Sequence, residues 1–190
     1  MVWFGDGNRR LLFKAEDRET GEDWAEVVAC HLCGLLELLH VKYELAAEYD
    51  GGQYIRPGVV CENMTHKSFV LVLGNELLPN ELLPAADPQY PQAERFKVRQ
   101  HTVEAVCDIV AQPGPPSEDS MTYVPPLLPG IESDLDVFVG YVLVAAWMAN
   151  QGRHHENRGA FRDGSTLRLA PTFDHGAALA RNLLDEEREE

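Results

Sequence analysis

Asn150-Gln151-Gly152-Arg153-His154-His155-Glu156-Asn157, a β-like stretch from Gly159 to Leu169, and then Ala170-Pro171-Thr172-Phe173-Asp174-His175-Gly176 are the residues on which the reading of this chain turns. Gly159 to Phe161 and Leu167 to Leu169 flank Asp163-Gly164, a dipeptide suited to a tight turn, so the spacing predicts a hairpin. Asn157 stands at its entry and Asp174 beyond its exit, seventeen positions apart. Both side chains offer oxygen to a hard cation, and both serve equally as turn and cap residues, so the pair by itself carries either role. His154 and His155 add two imidazoles. Adjacent residues point to different sides, however, and no third ligand stands at a zinc-site spacing.

Upstream of this stretch, Ser133 to Asn150 is the longest apolar helix candidate, and the prolines between Pro113 and Pro129 predict an irregular segment before it. A helix is expected from Gln100 to Val110, after a polar loop punctuated by Pro79, Pro84, Pro88 and Pro91. At the front, Gly5-Asp6-Gly7-Asn8 separates Val2–Phe4 from Leu11–Lys14, the pattern of a hairpin. Trp24, Val27, Val28, His31, Leu32, Leu35 and Leu36 follow at the three-four spacing of an amphipathic helix, within an apolar run from Ala25 to Leu39. Tyr43–Tyr49 and Val59–Cys61 read as strands, separated by Asp50-Gly51-Gly52 and by Pro57-Gly58. The acidic tail Asp185–Glu190 reads as a helix end.

Composition narrows the function classes. Sixteen Lys and Arg against 31 Asp and Glu leave a formal net charge of -15. Such a surface repels polyphosphate backbones, so a general nucleic-acid binder is excluded and any phosphate site must be locally basic or use a metal. The N-terminus shows no basic region followed by an apolar stretch, and Leu135–Met148 is too short and carries Asp136, so neither a signal peptide nor a membrane span is expected. The cysteines Cys30, Cys33, Cys61 and Cys107 are too scattered for a disulfide framework, and a cytoplasmic location follows. Cys30 and Cys33 form a C-x-x-C without the second pair of a zinc site, which makes them core residues of the helix.

Arg153-His154-His155-Glu156-Asn157 followed by Leu167-Arg168-Leu169-Ala170-Pro171-Thr172-Phe173-Asp174-His175 resembles the HipA-like kinase family. In kinase-type phosphoryl transfer a loop Asn and a downstream Asp hold Mg²⁺ against the nucleotide phosphates. Leu12-Phe13-Lys14 resembles the family's strand with the phosphate-pairing lysine, and Trp24-Ala25-Glu26 the helix whose glutamate positions it. Val59–Met64 resembles the hinge between lobes, and Leu71–Leu78 the segment after it. The resemblance implies an α+β, two-lobed, protein-kinase-like fold, with an abbreviated β-rich N-lobe over residues 1–61 and a mainly helical C-lobe over 62–190. It implies ATP and Mg²⁺ as cofactors. Lys14 would contact the α and β phosphates and Glu26 would pair with it. Asn157 and Asp174 would ligate the metal, and Cys61, Glu62 and Asn63 would offer hinge backbone to adenine. His154 would shape the catalytic loop.

Two departures qualify what the resemblance implies. The family's catalytic aspartate, the base that takes the acceptor hydroxyl's proton, stands five residues before the loop asparagine. Gly152 occupies that position here. Losing a positioned base costs about a hundred- to ten-thousand-fold. Arg158 also stands where the family often has an aromatic residue. Only thirteen residues precede Lys14, and Gly5-Asp6-Gly7 is a turn and not a phosphate loop. The expectation is therefore a HipA-like relative that binds ATP and Mg²⁺ and transfers phosphate poorly. The alternatives are an active Ser/Thr protein kinase or small-molecule phosphotransferase, since alignment and metal electrostatics supply much of this catalysis, and a non-enzymatic protein-binding module. A protein substrate or protein partner is expected in each protein-directed reading.

Overall fold

The computed structural model describes residues 1–16, 18–65, 69–77, 103–110, 131, 133–164 and 166–180. The loop expected around Pro79–Pro91, the start of the Gln100 helix, the Pro113–Pro129 segment and the acidic tail lie outside them. The described residues form two compact units. One comprises Met1–Met64, Tyr141–Gly152 and residues from Pro171 to 180, and the other comprises Arg153–Ala170 with the described residues from Thr65 to Gly140.

The first unit is built on a four-stranded antiparallel sheet in the order β1-β2-β4-β3. Its strands are β1 (Val2–Asp6), β2 (Arg9–Ala15), β3 (Tyr43–Asp50) and β4 (Gln53–Glu62). The turns fall where Gly7-Asn8 and Gly51-Gly52 break the β-rich runs, so β1 with β2 and β3 with β4 are hairpins. Pro57-Gly58, expected to divide two segments, lies inside β4 instead. Pro57 faces Ala47 of β3, while β2 reaches only Ala15, opposite Gly58. The Pro57 carbonyl accepts the Glu16 N–H at 2.9 Å. A strand residue's N–H and C=O point the same way, so the missing proline N–H falls beyond the end of β2 and no β3 ladder bond is lost. Gly58 is required by close approach, because a Cβ there would meet the Lys14 carbonyl and the Phe13 ring.

Helix α1 (Glu22–Leu35) packs on this sheet. Its first turn carries Glu22 and Asp23, and the buried Glu16 carboxylate accepts the Glu22 N–H at 2.6 Å, filling an otherwise orphaned donor. The apolar run to Leu39 outlasts the helix by four residues. Glu37 turns left-handed (φ 53°) and Leu38 N–H reaches back to Cys33 O at 2.9 Å, a Schellman-type stop. Ala29 and Cys33 of α1 form a buried core with Val144, Met148 and Ala178, bordered by Leu32, Leu38 and Leu179. Fully burying a side chain such as Val144 contributes roughly 1.5–3 kcal/mol. Cys30 is also buried, which bears out the reading of the C-x-x-C as core.

The second unit holds a three-stranded antiparallel sheet, β5-β6-β7, from β5 (Val70–Leu73), β6 (Gly159–Asp163) and β7 (Thr166–Leu169). The β6–β7 hairpin is the one the Asp163-Gly164 signal predicts, and β5 adds to it through Leu71 opposite Phe161. The short helix α2 (Gly74–Leu77) follows β5 directly, and α3 (Val103–Val110) stands where the described part of the expected helix begins. Helix α4 (Asp134–Trp147) starts in this unit and ends in the first. Ser133 caps its start, its hydroxyl accepting the Asp136 N–H at 3.2 Å while Asp136 accepts the Ser133 N–H at 2.9 Å. Among the described residues no helix is long and apolar enough to cross a membrane.

Candidate functional site

Lys14 sits near the end of β2, opposite Val59 of β4. Glu26 lies in the second turn of α1, its side chain fully enclosed, and Asp174 lies in the irregular segment after β7. The ammonium of Lys14 donates to Glu26 Oε1 at 3.0 Å and to Asp174 Oδ1 at 2.5 Å, although Lys14 and Asp174 are 160 positions apart. The Lys14 and Asp174 side chains keep 21% and 28% of their surface exposed. A ligand can therefore reach these two, whereas Glu26 acts on it only through Lys14.

A chain of hydrogen bonds fixes this cluster from behind. Glu26 Oε2 accepts the His175 N–H at 2.7 Å. Asn150 Oδ1 accepts the Gly152 N–H at 2.8 Å, which orients the Asn150 amide so that its Nδ2 donates to His175 Nδ1 at 3.0 Å. His175 Nε2 then carries the proton and donates to Thr172 Oγ1 at 2.9 Å. Thr172 is itself anchored, since its N–H bonds Leu39 O and its carbonyl accepts the Val41 N–H, each at 3.0 Å. Gly152 is thus linked through Asn150, His175 and Glu26 to Lys14. Asp174 holds a left-handed backbone, φ 58°, which costs a residue with a side chain about 1–2 kcal/mol and persists because its neighbours are pinned.

The electrostatics follow from one cation shared by two carboxylates. Burial disfavours the Lys14 charge, but Glu26 and Asp174 outweigh it and hold its pKa above the ordinary lysine value. Burial pushes the Glu26 carboxyl up to about 7; Lys14 opposes that rise and Asp174 adds to it. Burial, with a further push from Glu26, raises the Cys61 thiol to about 11 and the Tyr43 hydroxyl well above its usual value. With all three central groups ionised, the Lys14 cluster carries a net charge of about -1, which favours an added cation.

The hinge-like residues are also placed. Asn63 N–H donates to Arg10 O at 2.8 Å, and Cys61 pairs with Leu12. Ladder alternation then directs the backbone groups of Cys61 and Asn63 toward β2, and those of Glu62 to the other side, past the last β3 pair at Tyr43–Cys61. In the second unit, His154 caps a one-turn 3₁₀ helix, His155–Asn157: its Nδ1 accepts the Glu156 N–H at 3.3 Å. Arg153 Nη1 bonds the Asn157 carbonyl at 2.7 Å, and His155 is buried. His154 is thus used in shaping the loop. Lys14, Glu26, Asp174 and Gly152 belong to the first unit, and Asn157 to the second. Tyr43, Asn150 and His175 were not picked out as functional from sequence. Asn150 and His175 lie within the stretches that decide the reading, whereas Tyr43 carries no local signal.

No family model matches the sequence, and no curated protein matches it. Among solved structures, the crystal structure of CtkA, a proinflammatory kinase of Helicobacter pylori, matches over 93% of this chain with a TM-score of 0.61. The chain has a kinase-like fold. Identity to CtkA is 19%, so the likeness is one of fold, and the match takes in 53% of CtkA, about half the length of that protein. The antiparallel sheets and few helices of this kinase-like fold accord with the α+β class expected from sequence.

Proposed function

We propose that the chain is a HipA-like kinase relative that binds ATP and Mg²⁺ and transfers phosphate poorly. The observation that carries this reading is the meeting of Lys14, Glu26 and Asp174 on one ammonium, supported by the kinase-like fold. Lys14 would reach the α and β phosphates, with Glu26 positioning its ammonium. Asp174 and, on the sequence motif, Asn157 would hold Mg²⁺. Bound there, the ion neutralises charge that builds on the phosphate oxygens.

The residues present fit that group. With Glu26 ionised the Lys14 cluster is one cation short of neutrality, and Asp174 is partly exposed. Among the described residues no three His, Cys, Asp or Glu gather for a metal. That suits Mg²⁺, which takes one or two carboxylates and completes its shell with phosphate and water. For adenine, the backbone of Glu62 is the proposed contact among the expected hinge residues Cys61, Glu62 and Asn63, since the other two turn toward β2. Gly152 supplies no side chain to accept the acceptor hydroxyl's proton, and that acceptor is proposed to be a protein Ser or Thr.

Calorimetric titration with a non-hydrolysable ATP analogue, with and without Mg²⁺, tests the reading. Metal-dependent binding in the wild type and its loss in Asp174→Ala are expected. No binding at millimolar nucleotide would overturn it and turn attention to a protein-binding module. Wild-type turnover that Gly152→Asp fails to raise would defeat the assignment of the base position.

A further inference from the structure

Among the described residues, β1 and β3 are the edges of the first unit's sheet, and the sequence protects them unequally. Strand β3 carries Glu44, Glu48 and Asp50, and its register with β4 shifts between Glu48 and Tyr49. Charge and irregularity of this kind keep an edge from pairing with another chain. Strand β1 runs in unbroken register with β2 and carries neither proline nor lysine, and its one charged side chain, Asp6, is paired with Arg9. Its apolar residues are open, Val2, Trp3 and Phe4 keeping 52%, 46% and 43% of their surface exposed.

The ladder shows which backbone groups this edge offers. The Arg10 carbonyl accepts the Asn63 N–H, so Arg10 and, by alternation, Leu12 turn toward β4, while Leu11 turns toward β1. Phe4, opposite Leu11, therefore uses both of its backbone groups on β2, and those of Trp3 and Gly5 point outward. Trp3 shares a sheet face with Arg10, whose guanidinium sits 4.8 Å from the ring centre. Gly5 lies directly opposite Arg10. No left-handed angle calls for this glycine, and a Cβ there would meet nothing closer than the Arg9 carbonyl at 4.0 Å. The space over Gly5, beside Arg10, is open.

An antiparallel copy of the same strand fits this edge. With Phe4 on the two-fold axis, Trp3 of each copy lies opposite Gly5 of the other, and each such pair exchanges both of its hydrogen bonds. The indole crosses a residue without a side chain and reaches the other copy's Arg10, which then lies between two rings. On the opposite face the two Phe4 rings meet as an aromatic cross-strand pair. We propose that β1 pairs with β1 of a second copy of this chain, joining the two sheets edge to edge. Charge selects this edge: copies of net charge -15 repel one another, whereas the hairpin from Val2 to Lys14 sets Arg9, Arg10 and Lys14 against Asp6 alone. Each copy would bury roughly 300–400 Å², so the pair falls short of the about 1,200 Å² of stable complexes and belongs to the weak, reversible class.

Sedimentation equilibrium of the full chain from micromolar to millimolar concentration tests the proposal. A reversible monomer–dimer equilibrium is expected, and it should tighten as salt screens the repulsion between acidic copies. Gly5→Pro removes an N–H that makes no bond to β2, so the thermal midpoint of the dilute protein should hold. The dimer dissociation constant should meanwhile rise about tenfold or more, the worth of the backbone bonds lost. Should that variant not fold, Gly5→Lys fills the seat of the other copy's indole and sets a second cation beside Arg10, with the same loss expected. A monomer at every concentration, a mass that climbs past the dimer, dissociation by salt, or an undiminished dimer in a folded variant would each overturn the proposal. This outcome is independent of nucleotide binding at Lys14.

Discussion

Replacing Lys14 by Met keeps most of the side-chain stem and removes the ammonium that bonds Glu26 at 3.0 Å and Asp174 at 2.5 Å. Glu26 has no exposed side-chain surface, and its carboxyl already stands near 7 with Lys14 opposing the rise. Without that cation it must move higher. At about pH 6 Glu26 holds its proton in both proteins, and the variant should lose about 1 kcal/mol, the net value of the contact that remains with Asp174. A raised carboxyl binds more protons folded than unfolded, so its contribution to stability falls as pH climbs from the unfolded value to the folded one. In the wild type that window closes near 7; in Lys14→Met it extends further. Each pH unit above 7 therefore adds up to about 1.4 kcal/mol to the difference between the two proteins. Urea unfolding at about pH 6 and about pH 9 should show the gap widening by up to about 3 kcal/mol, approaching the cost of breaking a buried ion pair. A gap of the same size at both pH values would refute the argument that Glu26 depends on Lys14 for its charge.

Three further outcomes follow from local geometry. Asp174→Gly and Asp174→Ala both remove the carboxylate, but only Ala keeps a Cβ at φ 58°, so the Gly variant should be the more stable by about 1 kcal/mol in urea; equal stability would mean that the backbone there relaxes freely. Gly58→Ala drives a methyl into the Lys14 carbonyl and the Phe13 ring and should cost about 1–3 kcal/mol or more. An unchanged thermal midpoint would show that β2 and β4 can separate without loss. Met148→Ala empties part of the core around Ala29, Cys33 and Val144, with an expected loss of about 2–5 kcal/mol by denaturant titration. A loss well below 1 kcal/mol would mean that the α1–α4 contact collapses to fill the space.

Local chemistry alone determined a good deal of this protein. The Gly7-Asn8, Gly51-Gly52 and Asp163-Gly164 turns were legible because a tight turn needs backbone angles that few residues tolerate, and the strands beside them followed. The three-four spacing from Trp24 located α1, and the unbroken apolar run from Val137 located α4. Lys14, Glu26 and Asp174 could be named from their motifs, since each motif is a short run with its own pattern. Their meeting could not be read from spacing. A hydrogen bond spanning 160 positions exists only once β2, α1 and the segment after β7 pack together. The end of α1 at Leu35 was hidden for a similar reason, because Glu37 adopts the left-handed stop usually left to glycine. Pro57 passed for a break because its harmlessness depends on where the neighbouring strand ends. Tyr43, Asn150 and His175 acquire their roles from atoms that other segments bring to them. Turns and periodicity are properties of a few adjacent residues; charge sharing, pKa shifts and cavities belong to distant residues held at atomic separation, and only the tertiary structure decides those.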